Sequence, residues 1–216
     1  MSGKLTARQS EKVLSLLREF YGSVEPDLKF SSLYELTIAV VLSAQTTDRQ
    51  VNSVTGRLFT EYPDFHSLGG AAVKDVEAII KSTGFYHAKA RNIVSLAKKV
   101  TDDFGGELPR DMEHLLELPG VGRKSANVIL SIGYGIPGLA VDTHVGRIAR
   151  RLGYSESEDP LAVERDLCGK IPPEEWRDTH LLFIRHGRSI CKSRNPGCGS
   201  CPLKKLCRYY RDITSS

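Results

Sequence analysis

Apolar residues recur at three- and four-residue spacing along almost the whole chain, and the stretches between them are short and rich in glycine and proline. Val13, Leu16 and Leu17 mark a first helix, Leu36, Val40 and Val41 a second, and Val51, Val54 and Leu58 a third. Each is preceded by a hydroxyl residue with Glu or Gln three positions on, at Thr6 to Gln9, Ser32 to Glu35 and Thr47 to Gln50. That is the pattern of a capping box at a helix start. The same spacing predicts helices over 73–81, 88–102, 112–118, 124–133, 143–152, 161–169 and 174–191. Gly69-Gly70, Gly84, Gly105-Gly106, Pro137-Gly138 and Pro172-Pro173 punctuate them. No pair of alternating segments calls for a sheet. About ten short helices with short connections predict an all-α protein.

Between the helices at 112–118 and 124–133 lies the run L-P-G-V-G-R-K, Leu118 to Lys124. A tight turn accounts for the two glycines, since glycine adopts left-handed dihedrals and permits close backbone approach. It does not account for a lysine at the start of the second helix, where a positive charge opposes the helix dipole. A hairpin of this composition can turn bare N–H groups and the positive end of a helix towards an anion such as a nucleic-acid phosphate.

The overall composition is that of an ordinary globular protein, with 40% apolar and 26% charged residues in 216. No apolar stretch approaches the ~18 residues that would span a bilayer. The opening residues contain no apolar core like that of a secretory signal, so a cytoplasmic, nucleoid-associated location and a monomeric state are expected. Charge distribution changes the picture more. The net charge is +4, yet eight Lys or Arg and no acid fall between Arg185 and Arg211. One-signed charge at one end of a chain points to a polyanionic partner.

Four cysteines are interleaved with that basic segment. Cys191, Cys198, Cys201 and Cys207 form C-x6-C-x2-C-x5-C, with Pro196, Gly197 and Gly199 letting the loop wrap tightly. A reducing compartment disfavours disulfides. Zinc sites usually combine two short clips of paired ligands, and only Cys198 and Cys201 make one. Single thiolates standing off at each end suit an iron–sulfur cluster, although the spacing alone leaves zinc open. Cys168, in a helical pattern, reads as a small buried hydrophobe.

Asp142, in A-V-D-T-H-V, follows the loop Gly135 to Gly138 and precedes an apolar-periodic helix. It reads as an N-cap, a role compatible with chemistry. Paired with Lys124 it suggests a specific reaction. An amine attacks the anomeric carbon of a sugar only as the neutral base, whereas free lysine titrates near ~10.4. A helix N-terminus and a neighbouring cation such as Arg123 both disfavour the charged amine. A carboxylate can take up the proton and stabilise an oxocarbenium-like transition state.

Taken in order, S-A-Q-T-T-D at Ser43 to Asp48, L-P-G-V-G-R-K-S-A-N, A-V-D-T-H-V and the four-cysteine spacing resemble the endonuclease III family. These are bifunctional DNA glycosylases and AP lyases of the helix-hairpin-helix superfamily. The likeness runs from about the first helix to Cys207. It implies a two-domain helix-hairpin-helix glycosylase fold, with a six-helix bundle over 27–137. The second domain would combine 1–26 with 138–216 and carry a C-terminal [4Fe-4S] cluster loop, with DNA across the cleft between the two. It further implies Lys124 as Schiff-base nucleophile, Asp142 as catalytic carboxylate, and Cys191, Cys198, Cys201 and Cys207 as cluster ligands. Gln45 would fill the hole left by an extruded nucleotide, and Phe85 stands where the family places an apolar wedge. Gly120, Val121, Gly122, Arg123, His144, Lys192 and Arg194 are expected to contact DNA. The implied partner is double-stranded DNA bearing damaged pyrimidines or abasic sites. Related adenine glycosylases carry a glutamate where Ala44 precedes Gln45, and thymine-mismatch glycosylases replace the lysine. A non-catalytic iron–sulfur DNA-binding protein would need neither Lys124 nor Asp142.

Overall fold

In the computed structural model, which describes residues 5–215, Thr6 opens α1 (Ala7–Tyr21) with a complete capping box. Its hydroxyl accepts the Gln9 N–H at 3.3 Å, and the Gln9 side chain accepts the Thr6 N–H at 2.9 Å. Ser32 and Thr47 likewise cap α2 (Leu33–Leu42) and α3 (Asp48–Glu61), but their boxes do not close. The Glu35 carboxylate accepts the Ser31 N–H at 2.6 Å, one residue outside the cap. The Gln50 amide instead donates to Ser82 Oγ at 2.7 Å, so a tertiary partner outcompetes the local one.

The chain continues through α4 (Phe65–Gly69), α5 (Val73–Ile80) with a 3₁₀ turn at Lys81–Thr83, α6 (Tyr86–Phe104) and α7 (Met112–Leu116). Next comes α8 (Arg123–Val128), which widens into π-type turns over Ile129–Gly133. Last are α9 (Thr143–Leu152), α10 (Pro160–Cys168), α11 (Trp176–Ser189) and α12 (Arg208–Thr214). The described residues contain no strand. Two helices, α4 and α12, were not apparent from periodicity. Each is too short to repeat an apolar face: α4 has five residues and α12 seven, none of the latter buried.

The fold divides into two compact units, Met1–Glu25 with Pro137–Ser216, and Pro26–Ile136. The expected boundaries stood one residue later, and residues 1–4 and 216 lie outside the described residues. In the unit Pro26–Ile136, α2 is apolar on nearly every side, and eight of its ten residues are buried. Around it pack Val51, Leu58, Leu68, Ile80, Ile93 and Leu115. Burying each such side chain is worth roughly 1.5–3 kcal/mol. Because α2 lies in this core, its C-terminal end delivers Ser43 to Gln45 from a rigid base. The other unit is built on Val13, Leu17, Val145, Ile148, Leu167 and Phe183, and its core extends to Leu203 and Cys207 in the cysteine loop.

Close helix contacts depend on two glycines. A Cβ on Gly69 would stand 2.9 Å from both the Cα and N of Lys98, so α4 meets the backbone of α6 directly. A Cβ on Gly133 would stand 2.7 Å from Leu33 Cδ2 of α2. Gly56, inside α3, has nothing within 4 Å of such an atom. Gly69→Ala is therefore expected to destabilise by about 2 kcal/mol, because backbone cannot yield as a side chain can. Gly56→Ala should stabilise by about 0.5–1 kcal/mol through helix propensity. Urea denaturation of the two variants checks both signs; equal midpoints would refute the close-packing argument.

Candidate active site and nucleic-acid interface

Leu118 and Val121 anchor the hairpin between α7 and α8, both buried in the core of their unit. Between them Gly120 has φ +81, and a Cβ there would meet Val41 Cγ1 at 3.0 Å and Asn92 at 3.1 Å. Both the dihedral and the space demand glycine. Gly122 differs: its φ is −98 and nothing lies within 4 Å of a Cβ. No internal contact therefore requires glycine at 122. The residue serves as the N-cap of α8 and offers no side chain to its N–H groups.

The Val121 side chain is buried in the core, and its N–H donates to the Leu118 carbonyl at 3.0 Å. The residue is a hydrophobic anchor between the two hairpin glycines. Arg123 is exposed, and Lys124, the second residue of α8, is half-buried.

In the same unit, two non-glycine residues adopt left-handed dihedrals: Gln45 at φ +52 and Phe85 at φ +50. Such conformations are uncommon, and for a bulky residue they are strained. Gln45 is exposed, and Phe85, at the N-cap of α6, is 71% exposed. Phe85 is thus no core aromatic. A large apolar ring held out in a strained conformation is the form of a wedge.

Asp142 is the N-cap of α9 in the other unit. Its Oδ1 accepts the N–H groups of His144 and Val145, each at 2.8 Å. Oδ2 takes no hydrogen bond among the described residues. Capping thus fixes the carboxylate through one oxygen. His144 is half-buried, and burial pulls its pKa below the ordinary value. The Arg147 guanidinium lies 3.0 Å from His144 Nδ1.

Arg147 and Arg151 lie one turn apart on α9 and hold the start of the cysteine loop. Arg147 donates to the Gly187 and Cys191 carbonyls, both at 3.0 Å. Arg151 donates to the Lys192 carbonyl at 2.7 Å, to the Ser193 carbonyl at 3.1 Å and to Cys191 Sγ at 3.3 Å. Sequence reasoning missed both arginines, although their spacing of four, beside His144, was readable as one polar stripe on an apolar helix. Lys192 and Arg194 are exposed on the loop these arginines hold.

The four thiols Cys191, Cys198, Cys201 and Cys207 line one pocket with Ile148, Leu152, Ile190 and Leu203. No acidic residue lines it, whereas Arg151 and Lys204 do. Among the described residues no three His, Cys, Asp or Glu side chains converge tightly enough for a single metal ion. Sulfurs spread around a wall suit a polynuclear group, and nearby cations suit its negative thiolates. Burial pushes the Cys201 thiol up to about 11 and raises that of Cys207. These two are neutral thiols until a metal displaces their protons. Cys168, expected to be buried, is only half-buried against the same core. No helix among the described residues is long and apolar enough to cross a membrane.

A paired-helix hairpin ending in a basic helix start, in a unit that also exposes two strained residues, defines a DNA-repair protein of the helix-hairpin-helix class. The family model described as HhH-GPD superfamily base excision DNA repair protein matches residues 38–173, and the chain belongs to that family. Within it the chain is similar to endonuclease III. It is 44% identical to the Bacillus subtilis (strain 168) endonuclease III, covering 94% of each chain. Identity to the protein of the same name from Synechocystis is 42%, over 93% of this chain and 92% of the relative. Among solved structures, a trapped covalent intermediate of endonuclease III with DNA superposes with a TM-score of 0.91. Identity there is 44%, over 97% of this chain and 99% of the other.

The two hairpin glycines separate folding from any role at the surface. Gly120→Ala should cost about 1–3 kcal/mol of stability from strain and crowding, while Gly122→Ala should stay within about 0.5 kcal/mol of the parent. Thermal unfolding checks this. Equal losses would mean that Gly122 is also constrained from within.

Proposed function

We infer that this protein is a base-excision repair enzyme, a DNA glycosylase and AP lyase acting on damaged, oxidised pyrimidines in duplex DNA. The observation that carries the reading is the likeness, over 97% of the chain, to an endonuclease III trapped covalently on DNA. A covalent adduct needs a nucleophile, and the hairpin supplies an amine at Lys124.

The chemistry follows from the residues. Cationic side chains, Lys192 and Arg194 among them, hold the protein on phosphates without regard to sequence. A damaged pyrimidine stacks poorly and is extruded at lower cost. Gln45 fills the vacated space and Phe85 wedges the stack. The hairpin backbone at Gly120 and Gly122, with Arg123, holds phosphate. His144 offers a donor beside Asp142. The Lys124 amine bonds to C1′ of the deoxyribose as the glycosidic bond breaks, and the base departs with a proton. The Asp142 carboxylate stabilises the positive charge that develops on the sugar and takes up protons shed by the amine. The sugar ring then opens: the C1′–O4′ bond breaks, O4′ takes a proton, and the imine left at C1′ acidifies the hydrogen at C2′. Its loss expels the phosphate at C3′ and cuts the strand on that side.

Cys191, Cys198, Cys201 and Cys207 would hold a [4Fe-4S] cluster. Such a group would cross-link the two ends of the basic loop, after α11 and at the N-cap of α12, and no step of base removal passes through it. Work at the nucleoid, in the cytoplasm, is consistent with a duplex-DNA substrate.

Two predictions test this reading. Lys124→Gln should abolish the borohydride-trapped adduct and strand cleavage while damaged-DNA binding persists. Asp142→Asn keeps an amide oxygen for the cap, so it should fold normally yet slow base release by about 10²-fold or more. On a preformed abasic site Asp142→Asn should retain more lyase activity than Lys124→Gln, since no glycosidic bond remains. Gel-resolved trapping on duplexes holding thymine glycol, dihydrouracil, uracil or an abasic site measures all of these. Adduct formed by Lys124→Gln at the parental rate would defeat the mechanism.

The second concerns the metal. Protein purified without air should absorb near ~400 nm and carry about four irons. Cys198→Ala should lose iron and thermal stability together, and Cys168→Ala should keep both. Stoichiometric zinc without iron would overturn the cluster.

A further inference from the structure

Lys89 stands on α6 and is only 5% exposed. A buried ammonium is costly unless its protons are taken up. Its Nζ donates to Thr46 Oγ1 at 2.5 Å and to the Thr83 carbonyl at 2.7 Å, and Thr46 Oγ1 donates to that same carbonyl at 2.5 Å. No carboxylate pairs with it among the described residues, and burial lowers its pKa. As a salt bridge the residue has no purpose. Its three-way contact joins two loops far apart in sequence. Thr46 directly follows Gln45, and Thr83 stands two residues before Phe85. Those are the two left-handed residues of this unit outside glycine. The Lys89 N–H also closes on the Phe85 carbonyl at 3.1 Å, and Gln50 donates to Ser82 across the same seam.

We propose that Lys89 is a positioning residue that clamps the Gln45 and Phe85 loops into one rigid pair of DNA-inserting tips. This rests on the reading of those two residues as the groups that enter the duplex. Two strained tips set independently would lose their conformations in the free protein and regain them on DNA at a cost in rate. Tied through one ammonium, they are set before contact, and extrusion of a paired base is faster. Methionine would fill the volume but join nothing, which explains a buried cation where an apolar residue would cost less.

Stopped-flow fluorescence of 2-aminopurine placed beside a dihydrouracil reports extrusion, and cleavage of a preformed abasic site in the same duplex reports chemistry. Lys89→Met is expected to slow the fluorescence rise by about tenfold, a loss several times larger than its loss on the abasic site. Because Lys89→Met removes a buried group, a milder pair decides the matter if it fails to fold. Thr46→Val deletes the bridging hydroxyl at constant shape and should slow extrusion by about threefold or more, and Thr46→Ser, which keeps it, should behave as the parent. Extrusion at the parental rate in Thr46→Val, or equal slowing of extrusion and abasic cleavage, would overturn the clamp. Gln45→Ala and Phe85→Ala both extruding like the parent would instead remove the insertion reading, and the clamp with it. Parental rates in those two variants are distinct from a parental rate confined to the Lys89 and Thr46 variants.

Discussion

The left-handed turn at Gly120 is the constraint from which the DNA-facing side of the unit Pro26–Ile136 is built. With φ at +81 and Val41 and Asn92 against it, the chain reverses in the space of one residue. Leu118 and Val121 then reach the core on either side of the reversal. A residue with a Cβ would push the turn away from α2 and α6 and move the start of α8. That start is where Gly122 caps without a side chain and Lys124 leaves the helix. Hydrophobic anchors and one dihedral angle thus set where α8, and the lysine on its first turn, begins.

The unit containing Pro137–Ser216 solves a similar problem differently. Its candidate catalytic carboxylate is a helix cap, so the hydrogen bonds that begin α9 also orient Asp142. Arg147 and Arg151 of the same helix hold the carbonyls at the start of the cysteine loop. One helix therefore carries the carboxylate at its end and the basic loop along its side. Guanidinium groups suit this work because a planar fork satisfies several carbonyls at once. Leu203 and Cys207 complete the attachment by entering the core.

Strain is concentrated where the protein is expected to meet its substrate. Among the described residues three non-glycine positions have positive φ: Gln45, Phe85 and Asn195. Asn195 sits between Arg194 and Pro196 in the basic loop, and asparagine tolerates this conformation. Gln45 and Phe85 have no such excuse, and both are exposed. Local strain of about 1–3 kcal/mol each persists only when surrounding structure imposes it. Here a core helix and a buried lysine impose it.

Helical class, most element positions, the hairpin and the candidate nucleophile were legible in the amino-acid sequence by itself. Apolar periodicity and glycine punctuation are local signals, written in neighbouring residues and independent of what packs where. The cysteine spacing and the Asp142 motif were legible for the same reason. Only the tertiary structure decided which of two similar glycines is constrained, because that depends on Val41 and Asn92, nearly eighty and thirty residues away in sequence. It alone turned Val121 inward, opened the Gln50 capping box towards Ser82, and showed Phe85 exposed in a left-handed conformation. Lys89 drew no expectation from the sequence. It becomes a buried link because residues 46 and 83 are brought to either side of its ammonium, a meeting that no local pattern encodes.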